Sequence, residues 1–272
     1  MKILCLLASP RKIGNSEICV KEIAKELPAD WEKEIINLCH LHIEPCKACY
    51  SCLPAGKKCI IKDDLELFLT KLQTADKVVI AGPVYFLGAQ TAIKLITDRL
   101  LCILNEGDKF YKDKPCVIAL THGVKNWEGY GREAMLNFAH FLGLKVLGLR
   151  RINKHLPGDA AQPDSLVKLH ALAQALMANT ILPEENQNTL FCPECSSSLL
   201  RITKDGTWHC TMCGASGTLE NTGSTLALSP AQSHVPRYSK EGIAEHGKLL
   251  LSINKEFHER RREVFAALHK YL

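Results

Sequence analysis

Thirteen cysteines are the chain's most prominent chemical feature, and eight of them fall into two dense groups. The first group, with spacings of two, two and six residues, is Cys46, Cys49, Cys52 and Cys59. The second group, two Cys-x2-Cys pairs fourteen residues apart, is Cys192, Cys195, Cys210 and Cys213. An odd total with two tight groups favours metal binding in a reducing compartment over a secreted disulfide framework.

The first group suits an iron–sulfur cluster. In a [4Fe–4S] cluster each iron takes one cysteine sulfur, so four thiols in one short loop meet the requirement. Zinc fits three cysteines at successive two-residue gaps less naturally. A disulfide and thiols that bind nothing remain as alternatives. We predict a [4Fe–4S] cluster in the loop 46–59.

The second group resembles a zinc ribbon. Segments Leu199–Ile202 and Thr207–Trp208 flank a Lys-Asp-Gly turn and predict a hairpin between the two pairs. Four thiolates at a tetrahedral metal fold a segment that is too small for its own core. Rubredoxin-type iron uses the same geometry, but Ser196 stands where rubredoxin has glycine. We predict zinc with a structural or docking role.

A phosphate-binding loop is predicted at Ser9–Ser16, between the apolar run Ile3–Ala8 and a helical pattern. Hydroxyls, a glycine and an arginine at a helix N-terminus offer free backbone N–H groups and a favourable dipole to an anion. The loop matches neither the P-loop nor the dinucleotide fingerprint. Cys5 and Arg11 have the spacing of a cysteine-dependent phosphatase, but Cys5 falls in the middle of the predicted strand.

Two further loops carry aromatic and polar residues. The third apolar run is followed by Pro83, Val84, Tyr85 and Phe86, which offer a flat wall to a planar ring. The fourth run ends in Thr121-His122-Gly123.

The elements that position these loops alternate between short apolar runs and helical patterns. The predicted strands are Ile3–Ala8, Trp31–Leu38, Lys77–Ala81, Pro115–Thr121 and Lys145–Arg151. The helical patterns are a segment that Asn15 or Ser16 caps, Leu65–Leu72, Ala89–Ile103, Arg132–Leu142 and a segment from Asp164 or Ser165 to Ala178. Continuous apolar strands indicate a parallel α/β sheet with helices on both faces. We predict the flavodoxin-like order 2-1-3-4-5, whose ligands bind at the carboxyl ends of the strands.

Composition and length complete the predicted organisation. We expect an α/β domain at 1–182, a zinc-ribbon-like segment at 183–222, and an irregular linker with a C-terminal helix at 223–272. The net charge of +5 does not single out nucleic acid, and the arginines at 260–262 interleave with glutamates. No apolar stretch approaches the ~18–20 residues of a membrane span. We expect a cytoplasmic protein without membrane or nucleic-acid partners.

The loop motifs carry a family resemblance over residues 1–150. Ser-Pro-Arg, Gly-Asn-Ser, Gly-Pro-Val-Tyr-Phe, Lys94 and Asp98-Arg99 resemble the NADPH-dependent FMN reductase family, and more narrowly its iron–sulfur flavoprotein branch. The resemblance implies an FMN site with the flavin as the reactive group and no separate catalytic residue. The implied cofactor-binding residues are Ser9, Arg11, Gly14, Asn15, Ser16, Pro83, Val84, Tyr85, Phe86, Thr121, His122 and Gly123.

The predicted function is an FMN-dependent oxidoreductase that moves electrons between NAD(P)H or a reduced carrier and an acceptor, using the cluster. The resemblance also implies a homodimer or homotetramer, and a redox protein as partner. Two alternatives stay open: a non-enzymatic electron carrier, and a redox-sensing regulator that docks a partner through the ribbon.

Overall fold

The computed structural model describes residues 1–54, 56–186, 188–221, 223, 225–231 and 235–271. They form two sheets, one α/β and one antiparallel, followed by a helical C-terminal segment. Within these residues, every helix is too short or too polar to span a membrane.

The first sheet contains five parallel strands and one short antiparallel strand. They are β1 (Lys2–Leu7), β2 (Glu32–Asn37), β3 (Lys77–Tyr85), β4 (Gly88–Ala89), β5 (Lys114–His122) and β6 (Leu144–Asn153). The order β2-β1-β3-β5-β6 is the predicted flavodoxin-like order, with β4 added beside the end of β3. The two-residue β4 is too short to show the periodicity by which strands are predicted.

Helices cover both faces of this sheet. They are α1 (Asn15–Glu26), α2 (Leu65–Thr74), α3 (Thr91–Arg99), α4 (Gly107–Phe110), α5 (Gly131–Phe141) and α6 (Pro163–Ala178). Alternate side chains of each strand face opposite layers, so Ile3 and Cys5 pack towards α1 and α6, and Leu4 and Leu6 towards α2, α3 and α5. The α/β class predicted from the sequence is confirmed.

The cysteines outside the two groups divide into two sets. Cys5, Cys19 and Cys116 are fully buried, as expected for thiols in apolar stretches. Burial raises the pKa of Cys5 to about 12, which removes it as a phosphatase nucleophile. Cys39 and Cys102 are only half-buried, so the expectation of a buried thiol was wrong for both.

The second sheet is larger than a hairpin. Its strands are β7 (Leu200–Ile202), β8 (Thr207–Cys210), β9 (Ser216–Asn221) and β10 (Leu226–Pro230), in the order β10-β9-β8-β7. The predicted hairpin is β7–β8, but the expectation that residues 218–237 are irregular was wrong for β9 and β10. Their pairing depends on a close approach: a Cβ on Gly217 would lie 1.9 Å from the Ser229 carbonyl oxygen. Ser229 also accepts a hydrogen bond from the buried Trp208 ring at 3.3 Å.

The predicted C-terminal helix is present in two parts, α7 (Lys240–Glu259) and α8 (Arg261–Leu268), which meet at Arg260. Ile243 in the first turn of α7 is buried in the main core. Gly247 allows α7 to approach Asn105, whose Oδ1 would lie 2.4 Å from an added Cβ.

Candidate flavin site and metal centres

A cavity of about 250 Å³ opens at the carboxyl edge of the parallel sheet. Eleven of the twelve predicted cofactor-binding residues line it; Phe86 is the exception. The loop after β1 therefore meets the carboxyl ends of β3 and β5, as parallel strands with right-handed connections require. The expectation of loops was wrong in part, because both strands are longer than predicted: Pro83–Tyr85 lie within β3, and Thr121 and His122 within β5. The cavity is slightly smaller than the ~300 Å³ lower bound for whole-ligand pockets, so a bound flavin must extend over its rim.

The N-terminus of α1 forms one wall of this cavity. Its N-cap is Gly14, and no side chain caps the first turn. The expectation that Asn15 or Ser16 caps α1 was wrong, because both side chains bond elsewhere. Ser16 Oγ lies 2.8 Å from Thr121 Oγ1, which ties α1 to the end of β5. Backbone N–H groups of the first turn are thus left for an anion, and the exposed Arg11 adds positive charge.

Asn15 braces a fourth loop that the sequence analysis did not include. Its amide nitrogen donates to the carbonyl oxygens of Lys154 at 3.1 Å and Leu156 at 3.0 Å. Its Oδ1 accepts from the Ala160 backbone at 3.1 Å. Direct contact between Asn15 and a phosphate stays a prediction.

The fourth loop follows β6 and adds Lys154, His155 and Pro157 to the cavity lining. Lys154 Nζ is paired with Asp164 at 2.9 Å. The predicted topology could have identified this loop. The fifth parallel strand ends at the same edge of the sheet as the others, so the residues after it are expected to line the site.

An apolar rim of Tyr85, Phe86, Leu87 and Tyr130 stands beside the cavity. Phe86 and Leu87 have positive φ angles of 46° and 66°, a conformation that L-residues seldom adopt. The Leu87 carbonyl accepts the Tyr130 backbone N–H at 2.8 Å. Tyr130 lies against Gly88, where an added Cβ would be 2.7 Å from its hydroxyl oxygen. The strained turn keeps Phe86 fully exposed rather than inside the cavity.

His122 is buried at the end of β5 with a fixed ring. Its Nδ1 lies 3.1 Å from the Val124 carbonyl oxygen and 3.2 Å from the Asn153 amide nitrogen. A carbonyl oxygen can only accept, whereas Asn153 also reaches the His122 carbonyl at 3.4 Å. In the neutral ring Nδ1 therefore carries the proton, which leaves Nε2 as an acceptor.

The first cysteine group sits on a loop whose base is closed by two carboxylates. Asp64 accepts the His42 backbone N–H at 2.7 Å, and Asp63 accepts that of Glu44 at 2.9 Å. Ala48 and Tyr50 adopt left-handed conformations between the cysteines. Burial, followed by the charges of Cys59, Cys49 and Cys46, raises the pKa of Cys52, so the four thiols share one electrostatic neighbourhood.

These thiols are not gathered around one point in the folded chain. No three of the four, all within the described residues, bring their sulfurs within 4.8 Å of one another. A tetrahedral zinc with Zn–S bonds of about 2.3 Å holds its sulfurs about 3.8 Å apart. Cys59 instead borders a cavity of about 890 Å³ that the half-buried Cys102 also lines. The donor set suits a group with several metal atoms and room around it.

The second group is compact. Cys192 Sγ lies 3.5 Å from Cys213 Sγ, and Cys195 Sγ lies 3.6 Å from Cys210 Sγ. All four are buried, and their sulfurs lie within 4.8 Å of one another. These separations match one tetrahedral ion.

The ribbon is held against α5 by a buried ionic network. Arg132 donates to Glu184 and to the Ser196 carbonyl oxygen, both at 2.5 Å, and stacks on Phe191 at 4.6 Å. The neighbouring Glu133 accepts from the backbone and hydroxyl of Ser198 at 3.1 and 2.7 Å. The ribbon therefore packs on α5, and the N-terminal end of this helix adjoins the apolar rim.

The NADPH-dependent FMN reductase family model matches residues 1–150 of the chain. The chain belongs to the NADPH-dependent FMN reductase family. The matched residues include three of the four loops of the cavity and the whole first cysteine group. Residues 151–272, with the fourth loop and the ribbon, lie outside the match.

Several relatives of this family member are iron-sulfur flavoproteins from archaea. One from Methanocaldococcus jannaschii is 35% identical over 100 residues, which covers 36% of this chain and 51% of the relative. One from Archaeoglobus fulgidus is 32% identical over 148 residues, covering 54% and 71%. One from Methanosarcina thermophila is 29% identical over 170 residues, covering 60% and 84%. The chain thus spans about half the length of the first of these relatives.

Solved structures extend the likeness of the fold. A flavone reductase aligns with a TM-score of 0.71 and 20% identity, covering 100% of this chain and 98% of that one. An NAD(P)H:quinone oxidoreductase from Methanothermobacter marburgensis aligns with a TM-score of 0.51 and 17% identity, covering 65% and 97%. The first likeness includes the ribbon and the C-terminal helices, and at this identity it concerns the fold alone.

Proposed function

We propose that this family member is an FMN-dependent oxidoreductase. It takes electrons from NAD(P)H or a reduced carrier and passes them through a [4Fe–4S] cluster to an acceptor protein. The observation that carries the proposal is the cavity at the sheet edge, where the carboxyl ends of four strands, the residues that follow them and an uncapped helix N-terminus converge. A helix N-terminus of this kind favours a phosphate monoester such as that of FMN.

Different residues of the cavity contact different parts of FMN in this proposal. The first turn of α1, with Ser9 and Arg11, binds the phosphate, and the Ser16–Thr121 pair closes the floor. The rim at Tyr85 and Phe86 supports the ring. FMN supplies the exchange between paired electrons from a nicotinamide and single electrons for a one-electron centre. His122 offers Nε2 as an acceptor at the edge of the site.

The iron–sulfur part of the proposal is supported by the donor set and by the similarity to iron-sulfur flavoproteins. Among the described residues the four sulfurs do not form a compact donor group like that of the ribbon, and one of them, Cys59, borders a large cavity. When bound, a [4Fe–4S] cluster carries one electron at a time. The chain's part is to keep Cys46, Cys52 and Cys59 half-shielded from solvent, while Cys49 faces it.

The ribbon thiols bind zinc in this proposal, and the ion is structural. Four thiolates without an open position give a closed site, which suits a structural metal. Iron in the same tetrathiolate geometry is the alternative. Metal analysis of the purified protein distinguishes the two, because zinc gives no visible absorbance and rubredoxin-type iron does.

The flavin proposal is tested with Arg11→Ala against Lys12→Ala. Both side chains are exposed and carry the same charge, but only Arg11 lines the cavity. Loss of a charged hydrogen bond of about 1.5–3 kcal/mol weakens FMN binding roughly tenfold to hundredfold. Quenching of FMN fluorescence on titration of the flavin-free protein gives the dissociation constants. Equal affinities for the two variants would remove Arg11 from the phosphate site.

Direct reduction of a planar organic molecule is a second candidate function. The strained turn exposes Phe86 beside the cavity, and the flavone reductase shares the fold of the whole chain. NAD(P)H oxidation with a planar organic acceptor, measured in unmodified protein and in Cys49→Ala, separates the two functions. Activity that survives the substitution unchanged favours this candidate over electron transfer through the cluster.

A further inference from the structure

Arg99, the last residue of α3, lies buried behind the cysteine loop. Its side chain is 0% exposed and forms an ion pair with Asp63, which is 1% exposed. A buried guanidinium costs several kcal/mol of desolvation unless its hydrogen-bonding groups are met. The partners of its five N–H groups, and any N–H left without one, therefore indicate which groups Arg99 is placed to bind.

Four of these five groups have partners. Nη1 donates to Asp63 Oδ2 at 2.6 Å and to the Glu44 carbonyl oxygen at 2.7 Å. Nη2 donates to Asp63 Oδ1 at 3.3 Å and to Cys59 Sγ at 3.3 Å. The fifth, Nε–H, is buried and has no partner among the described residues. An unmet buried donor costs about 1–3 kcal/mol, so an acceptor is expected there.

The planar shape of the guanidinium gives the direction of this donor. Nη2 has an inner N–H, on the side of Nη1, and an outer N–H, on the side of Nε. The outer N–H is parallel to Nε–H, and both bonds point to the same side of the guanidinium group. The inner N–H of Nη2 faces Asp63, so its outer N–H is the one that reaches Cys59 Sγ. Nε–H therefore points to the side on which the Cys59 sulfur lies.

We infer that Arg99 is a positioning residue for the group bound by the first cysteine group, and that it tunes this group's reduction potential. The inference rests on the proposed iron–sulfur function. Arg99 holds Cys59 by one hydrogen bond and gives its free Nε–H to an acceptor on the bound group. Hydrogen bonds to cluster sulfurs and nearby positive charge favour the reduced, more negative state, so Arg99 raises the reduction potential.

Asp63 provides a matched substitution in which the charge change has the opposite sign. Its carboxylate meets the same guanidinium from the far side, and Asp63→Asn removes a negative charge while it keeps an acceptor oxygen. Removal of the positive charge in Arg99→Gln must lower the potential, whereas Asp63→Asn must raise it. A purely structural ion pair predicts the same direction for both variants, because each loosens the loop equally.

The experiment uses the full chain, purified without oxygen, as unmodified protein and as Arg99→Lys, Arg99→Gln and Asp63→Asn. Iron and acid-labile sulfide per chain are measured, followed by the midpoint potential in a redox titration monitored by electron paramagnetic resonance. We expect Arg99→Gln to lose at least half of its iron and to have a lower potential. Arg99→Lys keeps the charge, retains its iron and falls between Arg99→Gln and the unmodified protein.

Two results overturn the inference. One is an Arg99→Gln potential equal to that of the unmodified protein; the other is a shift of Arg99→Gln and Asp63→Asn in the same direction. If Arg99→Gln takes up too little iron for a titration, Arg99→Lys decides, and a potential at or above the unmodified value refutes the role. Unmodified protein without iron or sulfide refutes the proposed cluster itself, which separates that failure from a failure of Arg99 alone.

Discussion

The two cysteine groups differ in how far the folded chain has prepared them. The ribbon thiols are buried, and two tight turns, each closed by backbone hydrogen bonds, hold their sulfurs 3.5 and 3.6 Å apart in two pairs. The loop thiols are half-buried or exposed and lie on a segment, 44–62, where the described residues contain neither helix nor strand. The two cysteine turns, placed side by side by the ribbon sheet, fix the geometry of a single ion before the ion arrives. The loop leaves its thiols apart, so a group bound there would have to draw them together.

The two regions share one feature, a buried arginine on a neighbouring helix. Arg132 in the first turn of α5 fixes the ribbon, and Arg99 at the end of α3 fixes the cysteine loop. Arg132 bonds to the frame of the ribbon and not to a thiol, whereas Arg99 reaches the Cys59 sulfur directly. We therefore expect the ribbon arginine to affect stability and the loop arginine to affect the chemistry of the bound group.

The largest effect is expected from Cys210→Ala in the ribbon. Metal binding contributes about 10–16 kcal/mol to the folding of zinc-finger peptides, which is more than a segment of this size gains by burial. The variant should lose the ribbon metal and expose Trp208, which is now fully buried. Zinc per chain and acrylamide quenching of Trp208, in a background with Trp31→Phe and Trp127→Phe, measure both.

Thr211→Ala, a neighbouring exposed position, is the control for this experiment and should retain zinc. Unchanged metal content in Cys210→Ala would contradict the idea that the ribbon is a preformed tetrathiolate site. Loss of FMN together with zinc would instead show that the two regions fold as one unit.

Cys49→Ala should act on the other region alone. Because Cys49 is exposed, the substitution creates no cavity, and the loss of one cluster ligand should remove the iron while FMN and zinc stay. Iron, zinc and FMN per chain are measured on protein purified without oxygen. Cys39→Ala, a half-buried cysteine outside both groups, is the control. Full iron content in Cys49→Ala would show that the ligands are misassigned.

The sequence predicted the parts of this molecule that depend on local pattern. The strand order, the ribbon hairpin and the lining of the cavity by residues such as Arg11, Tyr85 and Thr121 follow from apolar runs and turn residues. Strand β10 was missed because it depends on a glycine, Gly217, whose missing side chain lets two strands approach. No local pattern records such a contact.

The site was predicted less completely, for the same reason. Asn15 was predicted to bind the phosphate from its residue type and position, but its side-chain amide bonds to the loop after β6. The sequence assigns Arg99 only to a family motif, because a helical arginine gives no sign that its guanidinium will be buried beside Cys59. Pairings between distant residues decide such roles, and a single sequence does not show them.

A smaller effect is expected from Arg132→Met, which tests how the ribbon is held. The methionine fills similar volume but leaves the Ser196 carbonyl and Glu184 without their donor. Breaking a buried ion pair costs about 3–5 kcal/mol, so the ribbon should open at lower urea than the flavin domain. Trp208 fluorescence reports the unfolding of the ribbon, and far-ultraviolet circular dichroism reports the unfolding of the whole chain. Arg201→Met, at an exposed arginine on β7, should change neither; equal effects of the two variants would show that Arg132 does not hold the ribbon.

The smallest effect concerns the cysteine loop in acid. Burial opposes ionisation of Asp63, but the hydrogen bonds from Arg99, Glu44 and Leu65 outweigh it and lower the pKa of Asp63 below its ordinary 3.8. A depressed carboxyl pKa stabilises the fold fully above the ordinary value, and this stability is lost as the pH falls through the lowered value; each unit is worth about 1.4 kcal/mol. The protection factors of the 44–62 amides against hydrogen exchange in metal-free protein should therefore fall only below pH 3.8. Asp63→Asn should abolish this pH dependence, and Asp64→Asn, at a carboxylate that bonds to a backbone N–H, should keep it. A pH dependence that persists in Asp63→Asn would assign the anchoring of the loop to another group.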